Sequence, residues 1–337
     1  MSNPTETGTP SVAESADSGK RDIKAVLRQS LQQGLAFGTL IVLFIFFSLA
    51  NPAFLQWSNI SGVLLATAVI GILAVGTTLV IITGGIDLSI GTGMTFAAVM
   101  TGTIITVFGM PMWVGILGGI ATGALMGAIN GSNIVYLKVP PFIATLAMMM
   151  ITQGLNMIVS GVKPVYIQID GFQSIALGTL IPGLPNAVLI LFGCALVASV
   201  VLTRTILGRY TFSIGSNEEA TRLSGINTNK WKILIYMSAG IFTGIAGVVL
   251  ASRLGSAQPQ LGMGYELQAI AAVVIGGTSM LGGRGSILGT LIGALVMSVL
   301  INGLRIMSIQ TEWQNVVVGI VILLAVFSDS LRTRKGA

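Results

Sequence analysis

Ionisable side chains are scarce in this 337-residue sequence, so the few that could do chemistry stand out. Only 8% of the residues are charged, histidine is absent, and Cys194 is the single cysteine. These counts exclude imidazole metal sites, Ser-His triads, intrachain disulfides and thiolate metal cages. The sequence also lacks a Gly-x-x-x-x-Gly-Lys-Ser/Thr phosphate-binding loop, which excludes a P-loop ATPase. We therefore expect no catalytic residue, no bound metal and no cofactor.

One acid and one base lie beside apolar segments. Asp87 follows Gly84-Gly85, and two interpretations of it are open. It could be an intramembrane acid lining a path, or Asp87 or Ser89 could cap the next helix with the carboxylate at the cytoplasmic boundary. Arg284 lies within Gly282-Gly-Arg-Gly285, which is either a solvated turn or a contact for a partner. A single buried acid disfavours a proton- or sodium-coupled carrier, because such carriers hold ionisable groups inside the membrane.

The segment 204–232 is the largest polar stretch after the amino-terminal region. Its centre predicts one short helix with Ser216 as the amino-terminal cap, Glu219 completing a capping box and Gly225 as a left-handed stop. Two acids in the first turn, Glu218 and Glu219, suit the positive end of the helix dipole. An apolar stripe is formed by Ala220, Leu223 and Ile226. Because so short a helix is marginal alone in water, we expect a docking partner; a folded loop without one is the alternative.

Apolar runs must position these residues. Soluble chains are about one quarter charged, so 8% charged and 53% hydrophobic residues indicate an all-α integral membrane protein. A spanning helix needs about 20 apolar residues. About ten transmembrane helices are predicted, at 33–50, 61–82, 88–108, 113–136, 141–160, 186–203, 233–252, 266–281, 286–305 and 313–328. We expect a disordered tail at 1–32, a transmembrane domain at 33–330 and a tail at 331–337.

The basic residues predict an orientation. With the amino-terminal tail inside, 14 of the 17 Lys and Arg residues lie on the cytoplasmic side, as the positive-inside rule requires. Both termini and the segment 204–232 are then cytoplasmic. Four charged residues are predicted on the outer side, where they would form a docking rim or ordinary loop polarity: Lys163, Asp170, Arg253 and Glu266.

Glycines recur every fourth residue from Gly115 to Gly131, and again at Gly285, Gly289 and Gly293. Small-xxx-small faces predict close helix packing in lipid. The tripeptide Ile-Asn-Gly occurs at 129–131 and at 301–303, near helix ends that face opposite sides in this topology. This favours an inverted five-plus-five repeat, although three matched residues also arise by chance.

Several longer motifs, in order, carry a family resemblance. They are Gly84-Gly-Ile-Asp-Leu-Ser-Ile-Gly91, Val139-Pro-Pro-Phe-Ile-Ala-Thr-Leu146, Gly215-Ser-Asn-Glu-Glu-Ala-Thr-Arg-Leu-Ser-Gly-Ile-Asn227, Arg253-Leu-Gly-Ser-Ala-Gln-Pro259, Gly264-Tyr-Glu-Leu267, Ile270-Ala-Ala-Val-Val-Ile-Gly-Gly-Thr-Ser279 and Gly282-Gly-Arg-Gly-Ser286. From about residue 35 to 330 the chain resembles permease subunits of ribose-type carbohydrate importers of the ATP-binding cassette class, within the wider family that includes branched-chain amino-acid permeases.

The resemblance implies a type II importer-like fold in the bacterial inner membrane. It implies a two-copy pore, fed by a periplasmic sugar-binding protein and driven by a separate cytoplasmic ATPase, with no nucleic-acid partner. The expected cargo is ribose or a related monosaccharide; the rival interpretation is a self-sufficient secondary carrier or channel for a small polar solute. The family's ATPase-coupling loop maps onto Gly215, Ser216, Asn217, Glu218, Glu219, Ala220, Arg222, Leu223, Gly225 and Ile226. Thr221 and Glu312 depart from the family's pattern, and Glu312 alters a predicted periplasmic turn.

Overall fold

Ten apolar helices form the computed structural model, which describes residues 33–334. In lipid a helix satisfies every backbone N–H and C=O internally, which is why apolar runs of this length fold this way. By length and composition, seven of these helices can cross a membrane and three are shorter. The ten are α1 (Gln33–Ala50), α2 (Trp57–Ile82), α3 (Ile90–Thr106), α4 (Met112–Tyr136), α5 (Pro141–Ser160), α7 (Asn186–Arg204), α10 (Thr228–Leu254), α11 (Tyr265–Ile275), α12 (Ile287–Ile306) and α13 (Thr311–Arg334).

Short elements connect these helices. A 3-10 turn at Pro52–Leu55 follows α1, and strand β1 (Val165–Tyr166) pairs antiparallel with β2 (Ser256–Ala257). Between the long helices lie α6 (Ser174–Leu177), α8 (Ile206–Ser216) and α9 (Glu218–Leu223). The ten-helix, all-α prediction is therefore confirmed within the described residues.

Some predicted boundaries are wrong, for local reasons. The helix predicted at 266–281 ends at Ile275, because Gly276 and Gly277 follow and Gly277 has a φ of 91°. Helix α10 starts at Thr228, inside the segment predicted as a loop, because Asn227 caps it by accepting the Lys230 N–H. The helix predicted at 313–328 is longer, since α13 runs from Thr311 to Arg334. The predicted tail 1–32 and residues 335–337 lie outside the described residues.

The core is built around α2 and α10, which pack against each other and are buried along most of their length. The glycine spacing explains how closely helices approach α10. A Cβ at Gly123 would meet the backbone of Gly240 and Gly244, and one at Gly127 would meet the Tyr236 carbonyl. Helix α12 approaches α11 the same way, through Gly289 against Gly276. The close packing predicted from the spacing is thus confirmed.

Helix pairings in the first half recur in the second. If α1–α5 form one half and α7 with α10–α13 the other, the α3–α4, α3–α10 and α4–α10 pairings correspond to α11–α12, α11–α2 and α12–α2. The α3–α5 pairing likewise corresponds to α11–α13. Because each half contributes five helices, an odd number, the second half runs through the membrane in the opposite sense. The pairings support the inverted five-plus-five repeat.

The equivalent helices α3 and α11 are both short and both follow a non-helical segment, 83–89 and 255–264 respectively. Their first turns meet: a Cβ at Gly91 would contact the Glu266 carboxylate and the Gly262 carbonyl. With 11 residues rising about 1.5 Å each, α11 is about 16 Å long, half of a hydrocarbon core of about 30 Å. We call segments 83–89 and 255–264 re-entrant, because each enters the molecule as non-helical chain, from opposite sides, and starts its helix near the middle. The helix that follows each segment continues in the same direction, so α3 and α11 both remain among the five helices of their halves.

Candidate functional site

A compact unit of α8 and α9 replaces the single short helix predicted in segment 204–232. Thr205 caps α8 by accepting the Gly208 N–H, and Gly208, Thr211 and Ile214 are its buried residues. Their spacing of three residues places them on one face, which packs against α7 and α10. Tyr210 of α8 and Trp231 of α10 meet edge to face with ring centroids 4.8 Å apart. The base of the unit is therefore fixed to the membrane helices.

Helix α9 lies in the predicted part of the sequence, but its amino-terminal cap is a different residue. Asn217, not Ser216, is the capping residue, since its side-chain oxygen accepts the Ala220 N–H at 2.9 Å. Ser216 is instead the last residue of α8. Glu219 does not close a capping box; its carboxylate accepts from Arg222 at 2.7 Å. The left-handed stop at Gly225 is confirmed by a φ of 84°.

Ion pairs hold the exposed surface of α9. Glu218 accepts from Lys232 of α10 at 2.6 Å, which ties the first turn of α9 to the next long helix. The Glu219 carboxylate raises the pKa of Arg222 by hydrogen bonding to its guanidinium and by its charge, so Arg222 stays cationic. Thr221 is the buried residue of α9, and its hydroxyl donates to the Asn217 carbonyl at 2.8 Å.

The apolar side of α9 is uncovered. Leu223 is 78% exposed, Ala220 is also exposed and Ile226 is partly exposed. Four basic residues of segment 204–232 and one of the turn before α12 are also exposed: Arg204, Arg209, Arg222, Lys230 and Arg284. Helix α9 thus carries an exposed leucine on a surface that is otherwise polar.

Three sequence motifs converge directly beneath α9. Gly283 donates its N–H to the Ile82 carbonyl at the end of α2, at 2.8 Å. A Cβ at Gly215 would meet that same carbonyl and the Gly283 N–H, while one at Gly282 would meet the Gly215 carbonyl and the Gly84 N–H. We call Ile82, Gly84, Gly215, Gly282 and Gly283 the glycine junction. It joins α8 to both halves of the membrane domain through backbone contacts.

Asp87, for which two interpretations were open, is buried and hydrogen-bonded at the start of α3. Asp87 is 3% exposed and accepts from both the N–H and the hydroxyl of Ser89, at 2.8 and 2.6 Å. The Ser89 hydroxyl in turn accepts from the Asn130 amide of α4 at 2.9 Å. Asp87 therefore organises the start of α3, as the capping interpretation predicts, and its carboxylate is enclosed by protein; its depth in the membrane stays a prediction. Ser89 occupies the cap position without making a side-chain capping bond.

More side chains tie segment 83–89 in place. The Thr145 hydroxyl of α5 donates to the Ile86 carbonyl at 3.2 Å. The Tyr236 hydroxyl of α10 is buried beside Gly85, where an added Cβ would lie 2.5 Å away from it. Sequence reasoning gave no role to Thr145, although it lies in the motif 139–146, or to Tyr236, which no motif marks. Asn130 was visible only as part of the repeated Ile-Asn-Gly.

The predicted outer rim is only partly assembled. Lys163 and Asp170 are exposed on the segment that contains β1, and Arg253 is partly buried at the end of α10. The rim position of Glu266 is wrong, because this side chain is only 9% exposed. Its carboxylate accepts the Gly264 N–H at 3.0 Å and packs against Gly91 in the interior. Arg284 is exposed on the opposite side, next to the glycine junction.

Ten apolar helices, seven of them long enough to cross a membrane, define a multi-pass membrane protein. Residues 59–326 match the family model described as branched-chain amino acid transport system / permease component, and the chain belongs to this family. The chain is 43% identical over 296 residues to the ribose import permease protein of Bacillus subtilis strain 168, covering 86% of this chain and 90% of the relative.

A second ribose permease and a fructose permease match as well. The ribose import permease protein of Escherichia coli strain K12 is 42% identical over 295 residues, covering 86% of this chain and 91% of the relative. The fructose import permease protein of Rhizobium meliloti is 37% identical over 277 residues, covering 79% and 76% respectively.

Proposed function

We propose that this chain is the transmembrane permease subunit of an ATP-binding cassette importer in the bacterial inner membrane. Its cargo is a small sugar, ribose or a related monosaccharide, delivered by a periplasmic binding protein. A separate cytoplasmic ATPase supplies the energy, and two copies of the permease form the pore. Both termini and the α9 side of the molecule face the cytoplasm, in agreement with the distribution of basic residues.

The observation that carries the proposal is the position of α9 on the glycine junction. Helix α9 presents an exposed leucine to a partner, while α8 behind it touches the carbonyl end of α2 and the turn before α12. A push on α9 is therefore delivered to both halves of the domain. The junction is made of backbone contacts without intervening flexible side chains. A displacement of α8 therefore moves the end of α2 and the turn before α12 by a similar amount.

The sugar assignment is supported by the relatives and by the chemistry of the interior. Ribose, fructose, allose and xylose permeases all match over most of the chain. A neutral cargo needs no buried counter-charge, and the two buried acids are already occupied by Ser89 and Gly264. A secondary carrier driven by ions would instead require unpaired acids along its path.

The test is ATP-dependent uptake of ribose by proteoliposomes that contain the permease, its ATPase and its binding protein. Leu223→Asp places a charge in the docking stripe and should reduce uptake at least tenfold, while permease insertion and thermal stability remain unchanged. Asn229→Asp introduces the same charge at an exposed position just outside α9, so it is the matched control and should transport normally. Full uptake by Leu223→Asp, or uptake by the permease alone, would show that α9 is not the coupling helix.

A further inference from the structure

Two amide side chains lie near the middle of the membrane domain without being buried. Gln153 is 12 residues into α5, which is about 18 Å from the start of that helix and more than halfway across a core of about 30 Å. Gln268 lies in the first turn of α11, the half-helix that begins inside the molecule. Both side chains are partly exposed.

Three hydroxyl-bearing residues that are at least partly exposed in the spans satisfy themselves. The hydroxyls of Thr39, Thr122 and Ser238 each donate to the carbonyl four residues earlier in the same helix, so lipid can cover them. A glutamine cannot satisfy its carboxamide in that way, since it has two N–H donors and an acceptor oxygen. Burying such a group in hydrocarbon without partners costs several kcal/mol. A surface with exposed amides at this depth therefore faces water.

Met263 contacts one of the two glutamines and precedes the other by five residues in the chain. The Gln153 amide donates to the sulfur of Met263 at 3.3 Å, and Met263 is 55% exposed on the re-entrant segment that leads into α11. Gln268 follows five residues later, beyond the Gly264 cap. Glu266 adds no charge to this region, because it points inward, where its carboxylate accepts the Gly264 N–H. The three residues are thus polar or apolar without charge, and they adjoin the meeting point of the two half-helices.

We propose that Gln153, Met263 and Gln268 line the permeation path and that the two amides contact the hydroxyl groups of a neutral cargo. An amide both donates and accepts hydrogen bonds, which matches a sugar hydroxyl, and the thioether offers an adaptable apolar contact to the sugar's C–H face. The assignment of sugar as cargo rests on the proposed function, whereas the assignment of this surface as the water-filled path does not.

The chain has a single cysteine, so a cysteine-free background for the first experiment needs only one substitution. Cys194 is buried in the core and is replaced by alanine. Single cysteines are then introduced as Gln153→Cys, Met263→Cys and Gln268→Cys, with Leu196→Cys as the control. Leu196 is 66% exposed at similar depth on α7, among exposed apolar residues. Met263→Cys retains both glutamines, so it reports on the surface even if an amide is needed for folding.

Permeabilised membranes containing the assembled importer are treated with a charged, water-soluble thiosulfonate. This reagent modifies thiolates, and a cysteine forms a thiolate and meets the reagent only where it is in contact with water. The three path variants should react at least tenfold faster than Leu196→Cys. Reaction of all three at the control rate would overturn the inference, whatever the importer carries. Reaction at the fast rate supports it even if ribose is not transported, in which case the sugar assignment alone is wrong.

The second experiment tests cargo contact. Gln153→Leu and Gln268→Leu should each lower ribose uptake at saturating binding protein by about tenfold, while ATP hydrolysis by the complex is retained. Saturating ribose-loaded binding protein with ATP should also slow modification of the Gln153→Cys variant. Normal uptake by both leucine variants, together with unprotected thiols, would overturn the contact role of the two amides.

Discussion

The two re-entrant segments occupy equivalent places in their halves but are held in different ways. Segment 83–89 is fixed by side chains from neighbouring helices, through Asp87, Ser89, Asn130 and Thr145. Segment 255–264 is held by the backbone pairing of β1 with β2 at one end, and at the other by the Glu266 carboxylate, which accepts the Gly264 N–H. Asp87 of the first segment is buried, whereas Met263 of the second is exposed. We therefore expect the first segment to depend more on side-chain hydrogen bonds than the second.

The largest effect is expected where the two segments touch. Gly91→Ala would place a methyl group against the Gly262 carbonyl and the Glu266 carboxylate, so backbone must move. Overpacking of this kind should cost about 3 kcal/mol of unfolding free energy, measured by SDS titration in mixed micelles. Gly193→Ala is the control, because nothing lies within 4 Å of its added Cβ. It should be neutral or stabilise α7 by up to about 1 kcal/mol; equal losses in both variants would disprove the contact.

Asp87→Ala should have the next largest effect. It leaves the N–H and the hydroxyl of Ser89 without an acceptor in a dry interior, at a cost of about 2 to 3 kcal/mol in the same titration. Asp87→Asn keeps an acceptor oxygen and should recover at least half of that loss. If the alanine variant were as stable as the parent, the enclosed segment would not depend on its side chains.

Glu266→Ala should cost less, about 1 to 2 kcal/mol, because one backbone N–H loses its acceptor at a segment that is otherwise held by backbone pairing. The difference between the unfolding midpoints of Glu266→Ala and Asp87→Ala measures how much more the first segment depends on its side-chain hydrogen bonds than the second. A loss at Glu266 equal to or above that at Asp87 would contradict the distinction.

The smallest change in stability is expected on α9. Arg222 and Glu219 form an exposed ion pair, and such pairs contribute little to stability because water screens the two charges. Arg222→Ala should therefore leave the unfolding midpoint nearly unchanged, yet lower ATP-dependent uptake if the surface of α9 docks a partner. If this variant took up ribose as fast as the parent, Arg222 would not belong to the docking surface, and only the apolar stripe would remain.

The helix count and the glycine contacts were predictable because both depend on local composition and spacing. Glycine occupies every fourth position of α4 from Gly115 to Gly131, and this pattern by itself indicates a close neighbour. The cap of α9 was displaced by one residue because Ser216 and Asn217 are both good caps. The contact of Gly215 with Ile82 carries α8 on to Ser216, which leaves Asn217 to cap the next helix.

The depth of Glu266 could not be read from the sequence. A re-entrant segment and a surface loop both interrupt an apolar run with glycine and polar residues, and hydropathy does not separate them. Only the tertiary contact between Gly91 and Gly262 brings the segment inside. The exposed amide of Gln153 was hidden for the same reason, since its neighbour Met263 lies 110 residues away.

The two-residue strands have a mechanical consequence. Tyr166 pairs with Ser256, and the Ile167 N–H donates to the Gly255 carbonyl, so the exposed segment with Lys163 and Asp170 is hydrogen-bonded to the origin of the second re-entrant segment. Load applied to that surface pulls on the chain leading to α11, whose far end adjoins the turn carrying Gly282 and Gly283. Binding at the two surfaces is then reciprocal. If a protein bound to α9 changes the affinity of the β1–β2 side for its own partner, that partner changes the affinity of α9 by the same factor.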